Sequence, residues 1–204
     1  MIASLIYNTP ELVPILKAQI PSIFIIDAGS KEPIPGAHLR YEDNRFWVGN
    51  WDRFLRSTNA QYVWALNSDI TGATVEMYSQ LLEAAISLNA FIITPAFNSP
   101  HALFHSIGEE IRFCNWVDMA APLINVKKYK QIGGFDLNFK GYFADVDLCY
   151  RARQEKMEMY IHDKLKISHA GGYTVIKENK HEQSNLDDNT ILINKYGKSW
   201  HELI

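Results

Sequence analysis

The segment GGFDLNFKGYFADVDLCYR, residues 133–151, sets a glycine pair, an aromatic-rich loop and two acids, Asp145 and Asp147, two positions apart at the start of a helix. At that spacing the two carboxylates point different ways. One can face a cleft as a general base, taking a proton from a hydroxyl as that hydroxyl attacks, while the other anchors the helix. The alternative is that both acids only serve the helix N-terminus. Asp69, in LNSDI, ends a buried apolar run. A carboxylate there can hold Mg²⁺ or Mn²⁺, whose other ligands are phosphate oxygens and water, and the ion would neutralise charge on a departing diphosphate. Asp69 could equally cap a helix beginning near Thr74. His169, in KISHAGG, precedes two glycines, and a neutral imidazole can ligate a metal or touch diphosphate, although a lone histidine is more often structural. Asp27, in IIDAGS, can accept hydrogen bonds from a base or ribose, or simply close an Asx turn. Of the aromatic residues Trp47, Trp51, Trp116, Tyr142 and Phe143, Trp116 is taken as a sugar-stacking face, with core packing as the alternative.

Elements must carry these groups to one place. Short apolar runs bounded by turn residues alternate with helical stretches, the pattern of an α/β fold with a mostly parallel sheet. Strands are expected over 2–7, 22–26, 62–66 and 91–94, with helices over 10–17, 46–57 and 75–88 between them. Asp27 and Asn67–Ser68–Asp69 then lie beyond carboxyl ends of strands, where open α/β sheets bind ligands. The second half is less regular: a loop over 95–107, a strand near 116–124, a helical turn at 126–132 closed by Gly133 and Gly134, a helix over 145–156, and short strands at 159–161 and 166–168. His169 would then open a loop. The tail from 180 to 204 reads as a terminal helix packing through Ile191, Leu192, Ile193 and Tyr196.

Length and composition bound the remaining choices. At 204 residues with 47% hydrophobic content, the chain suits one domain with a substantial core. Two halves are expected within it, residues 1–94 and 95–204. A net charge of −3 gives no global field toward nucleic acid or an anionic membrane, so an anionic ligand must be held locally. Cys114 and Cys149 have no CxxC spacing, which suits a reducing compartment. The apolar start MIASLIYNTPELV is too short for a signal peptide or a membrane span, and a cytoplasmic location is expected.

Taken in order, IIDAGS, NRFWVGNW, YVWALNSDI, WVDMAAPLINVKKYKQIGGFD, YFADVDLCYRA and ISHAGG resemble the family 2 glycosyltransferases of the GT-A fold, in particular the rhamnosyltransferase-like branch, over nearly the whole chain. The resemblance implies inverting transfer from a nucleoside diphosphate sugar. It further implies that Asp27 contacts the nucleoside and that Asn67, Ser68 and Asp69 stand for the DxD motif, with Asp69 on the metal. Asp145 takes the position of the catalytic base and Asp147 that of the helix-anchoring acid. His169 stands as the additional metal or diphosphate ligand, and Arg151 supports the same loop. Asn67 replaces the first acid of many relatives and Ala144 the glutamate before the base, which points to weaker metal affinity and altered acceptor contacts.

The expected activity is therefore a metal-dependent glycosyltransferase reaction with Mn²⁺ or Mg²⁺, in polysaccharide biosynthesis or a related process. Asp145 is the base, and a hexose or deoxyhexose is moved to a glycan, lipid-linked or glycoprotein acceptor. UDP is the first expectation for the nucleotide, with dTDP- and GDP-sugars as alternatives. Two rivals stand beside it. A nucleotidyltransferase usually carries a Gly-rich, basic loop after its first strand, which YNTPELV lacks. A non-catalytic nucleotide-sugar binding module is consistent with Asn67 and Ala144, but it leaves Asp69, Asp145 and His169 without a joint purpose.

Overall fold

The computed structural model describes residues 1–98, 108–171 and 181–204, with side chains in the last segment from residue 185. Nine strands are described: β1 (Ile2–Ile6), β2 (Phe24–Asp27), β3 (Leu39–Arg40), β4 (Tyr62–Leu66), β5 (Ile70–Thr71), β6 (Ile92–Phe97), β7 (Ile111–Cys114), β8 (Leu123–Asn125) and β9 (Met159–His169). The helices are α1 (Leu12–Gln19), α2 (Phe46–Ser57), α3 (Val75–Ser87), α4 (Val126–Gln131), α5 (Ala144–Gln154), α6 (His181–Tyr196) and α7 (Trp200–Leu203).

The strands join into one nine-stranded sheet in the order β3-β2-β1-β4-β8-β6-β9-β5, with β7 also on β9. β1, β2, β3 and β4 pair in parallel, as their near-continuous apolar composition requires of strands covered on both faces. All five residues of β4 are buried. β8 then runs antiparallel between β4 and β6, so the sheet is mixed where the simple alternation of elements breaks down. α2 packs on β1, α3 on β6 and β8, and α4 on α2 and β8. One apolar core extends from Ile2 to Leu203, with Trp51, Trp64, Tyr129 and Phe91 among its largest buried side chains.

Local chemistry explains the helix boundaries. Thr74 is extended and its side chain accepts from Met77 N at 3.1 Å, which starts α3. Asn125 does the same for α4 through Lys128 N at 3.2 Å, and Gly133 and Gly134 leave that helix at φ 84° and 71°. α5 carries Asp145 and Asp147 in its first turn and Arg151 and Arg153 in its last, matching the helix dipole at both ends.

Four expectations need correction. The strand expected near 116–124 is confined to its end, in β8: Asp118 Oδ1 accepts from Ala120 N at 2.7 Å and turns the chain, and Pro122 has no N–H to offer a ladder, although the carbonyls of Ala120 and Pro122 still accept from Asn67 N and Ala65 N at 2.8 and 2.9 Å. The two short strands at 159–161 and 166–168 are one strand, β9, interrupted against β6 by a register shift from Pro95↔His162 to Ala96↔Lys166. The strand expected at 91–94 continues to Phe97, so the loop expected from 95 is strand at its start, and its stretch 99–107 lies outside the described residues. In the tail, Leu192 is fully buried and Ile191 and Tyr196 pack on the core, whereas Ile193 faces solvent.

Candidate active site

The register of β5 on β9 builds the first part of the site. Ile70 pairs with His169, and Ala170 N donates to Asp69 O at 3.3 Å, so the end of β4 is bound to the end of β9. His169 Nε2 consequently lies 3.1 Å from Asp69 Oδ1, with both side chains mostly buried. Burial by itself would lower the His169 pKa, but the hydrogen bond and charge of Asp69, aided by Asp118, outweigh it and raise the value. Asn67 Nδ2 is 3.4 Å from His169 Nε2, and its Oδ1 accepts from Trp47 Nε1 at 3.0 Å. Ser68 sits half-buried on the turn between Asn67 and Asp69. Because Thr74 caps α3, Asp69 is not that helix's cap.

The second part comes from α5. Asp145 opens into a cavity of about 400 Å³, and its Oδ2 accepts from Trp116 Nε1 at 2.9 Å. Burial and then the neighbouring charge of Asp118 push its pKa up to about 7, against the pull of the Val146 backbone N–H and the Trp116 indole. Asn67 and Asp118 line the same cavity, so the end of β4 and the start of α5 face one space. Burial also raises the Asp118 pKa, against the opposing effect of His169.

Asp147 has a different environment although it is only two positions away. It is fully buried. Its Oδ2 accepts from Arg151 Nε at 2.9 Å and Nη2 at 2.7 Å, and its Oδ1 from Lys195 Nζ at 2.6 Å and Tyr196 OH at 2.7 Å. Arg151 reaches on to the carbonyls of Ile132 and Gly134 at 2.9 and 2.7 Å, holding the turn that precedes the aromatic loop. The two acids therefore divide as the spacing implies: Asp145 faces the cavity, and Asp147 ties α5 to α6 and to the Gly133–Gly134 turn.

Asp27 is fully buried, and its oxygens accept from Ser30 N at 2.9 Å, Ile34 N at 3.1 Å and Arg40 Nη1 at 2.8 Å. The Asx-turn reading matches this geometry, with the carboxylate shaping the loop after β2. Gly29, at φ 82° in that loop, leaves no space for a Cβ, which would stand 2.6 Å from Asn44 N.

Several cavity residues escape a reading from sequence. Asp118 lies inside the quoted WVDMAAPL segment, but nothing in its spacing marks it out from a turn former. Trp47, among the aromatic residues the sequence offers, reaches Asn67 from the first turn of α2, a contact its spacing does not reveal. Trp200 and Asn185 arrive from the C-terminal helices, where α7 starts in a capping box between Ser199 and Glu202. The cavity is thus walled partly by the segment after His169. Asp188, fully buried on α6, accepts from the backbone N–H groups of Lys140, Gly141 and Tyr142 at 2.8–3.1 Å and fixes the loop that leads into α5. Phe143 ends that loop at φ 56°, an uncommon conformation for a bulky residue, held where the surrounding structure over-determines it.

No family model matches the chain, and no curated protein matches it in sequence. Solved structures do match in fold. The crystal structure of S. aureus TarS, residues 1–349, superposes with a TM-score of 0.62 at 11% identity, over 86% of this chain and 61% of that one. The crystal structure of GalNAc-T7 with UDP, GalNAc and Mn²⁺ superposes with a TM-score of 0.61 at 9% identity, over 82% of this chain and 43% of that one. The chain thus spans less than two thirds of either neighbour. The fold is the GT-A glycosyltransferase fold, an α/β architecture with a nine-stranded sheet flanked by helices.

Proposed function

We propose that the chain is a metal-dependent, inverting glycosyltransferase that moves a hexose or deoxyhexose from a nucleoside diphosphate sugar to an acceptor hydroxyl. The observation that carries this reading is one cavity lined by both Asp145 and Asn67, with Asn67 in turn against the Asp69–His169 pair. A base and an anion-binding strand end then meet across a space the size of a sugar.

Asp69 offers a carboxylate and His169 an imidazole, and among the described residues no cluster of three or more His, Cys, Asp or Glu side chains forms a cage for a metal. The pair fits an ion that draws its remaining ligands from diphosphate oxygens and water. Bound there, Mn²⁺ or Mg²⁺ would offset the charge that develops on the leaving group. Asn67 and the backbone at Ser68 position the diphosphate, and the loop shaped by Asp27 and Gly29 borders the nucleoside. UDP is the first choice of nucleotide, ahead of dTDP and GDP, and the UDP seen in GalNAc-T7 supports that order.

Asp145 removes the acceptor hydroxyl proton as the oxygen attacks the anomeric carbon. The new C–O bond forms as the bond to the diphosphate oxygen breaks, the proton stays on Asp145, and the nucleoside diphosphate departs from the opposite face. The indole of Trp116 holds Asp145 Oδ2 at the cavity. Trp116 also borders the acceptor, while Asp147 and Arg151 support the loop. Both cysteines are free thiols, and we place the reaction in the cytoplasm on that basis. Among the described residues no helix is long and apolar enough to cross a membrane.

The test is calorimetry with a panel of nucleotide sugars, followed by a product assay on sugar, lipid-linked and peptide acceptors. Asp145→Asn should retain donor binding and lose transfer. Normal transfer by that variant would remove the base from this reading, and activity after thorough chelation would remove the metal.

A further inference from the structure

We infer that Trp200, Trp116 and Phe143 form a subsite for the ring of a neutral pyranose, which makes the acceptor a saccharide; the inference rests on the transferase reading for its biological meaning but not for its test. The three rings meet at the cavity wall. Trp200 lies 6.0 Å from Trp116 at 56° and 6.5 Å from Phe143 at 40°, so the rings are tilted to one another and not stacked. His201 lies 3.6 Å from the Trp200 ring at 31° and covers that side of the indole. The rings pack against one another, and their cavity-facing sides together form an aromatic wall.

The chemistry of the lining selects the occupant. A pyranose has an apolar face of C–H groups, with partial positive charge that suits the negative face of an indole, and a rim of hydroxyls. Asn185 and Asp145 supply polar groups for that rim. Because Trp116 both belongs to this wall and donates to Asp145, a ring seated against it lies beside the base. Among the described residues no lysine or arginine lines the cavity, whereas two carboxylates, Asp118 and Asp145, do. A phosphate-bearing acceptor group would enter that field unpaired, and a flexible serine or threonine side chain has no flat face to use the aromatic surfaces.

The experiment is saturation-transfer NMR on the full chain without donor, using methyl β-D-glucopyranoside, methyl β-D-galactopyranoside, a serine-containing peptide and glycerol phosphate as probes. Saturation should reach the C–H face of at least one glycoside and neither of the other probes. Trp200→Ala should weaken that glycoside by about tenfold, Trp200→Phe should keep most of the affinity, and UDP binding should stay within about twofold in both. If the alanine variant unfolds, Trp200→Leu keeps apolar volume against Trp116 while removing the π face, and the same loss is expected. Glycoside binding that survives Trp200→Ala or Trp200→Leu overturns the subsite, as does a wild-type chain that binds no glycoside. Glycoside binding without turnover of any nucleotide sugar would leave the subsite standing and remove the transferase reading. Transfer to peptide or phosphate acceptors unaffected at Trp200 would do the reverse.

Discussion

His169 Nε2 and Asp69 Oδ1 lie 3.1 Å apart because β5 and β9 pair antiparallel in a register that sets Ile70 opposite His169. The two side chains hydrogen-bond to each other. A divalent ion with a diphosphate must therefore replace an existing contact, and its affinity depends on both partners.

His169→Ala should accordingly weaken UDP binding in the presence of Mn²⁺ by about tenfold, within the range seen when a metal-site group is lost, and change metal-free binding little. Calorimetry with and without Mn²⁺ makes the comparison. An equal loss under both conditions would mean that the imidazole touches the diphosphate directly.

Asp145, with a pKa of about 7, carries a proton below neutrality and cannot accept another. Transfer should therefore rise with pH along an acid limb centred near 7. Asp118→Asn removes a neighbouring like charge and should move that limb to lower pH. A pH profile of kcat/KM for both proteins decides the point, and an unshifted limb would separate Asp118 from the base.

The same displacement has a stability consequence of fixed sign. Its folded pKa is raised above the ordinary carboxyl value of 3.8, so the native state binds the proton more tightly and loses that advantage as pH climbs from about 4 to about 7. Asp145→Asn should thus melt higher than wild type at pH 8, by about 2–4 °C after discounting for the solvent that reaches a half-buried group. At pH 4 the two should melt together.

Asp188→Ala leaves the N–H groups of Lys140, Gly141 and Tyr142 without their carboxylate. A loss of about 2–4 kcal/mol in urea denaturation is expected, with faster hydrogen exchange at those amides. Protection unchanged at the three amides would show that other contacts hold the loop.

Parts of this arrangement were open to a reader of the sequence. α2 and β4 have the bounds expected from their patterns, because the apolar spacing of 46–57 and the unbroken run YVWAL allow one period each. The division of Asp145 and Asp147 follows from their two-residue spacing on a helix. β9 was not legible as one strand, because the residues DKL at 163–165 interrupt its pattern and are absorbed by the shift against β6. Asp118 gave no signal at all, since its importance lies in what surrounds it.

The sequence by itself determined the α/β class, the strand ends at Asp27 and Asn67–Asp69, and the helix that presents Asp145, because each depends on local periodicity and turn chemistry. Tertiary structure alone decided that Asp27 is spent on its own loop, that His169 meets Asp69, and that Trp200 and Asp188 return from the C-terminus to wall the cavity and hold its loop. Those contacts join positions far apart in the chain, and strand register and helix docking, which no local pattern encodes, bring them together.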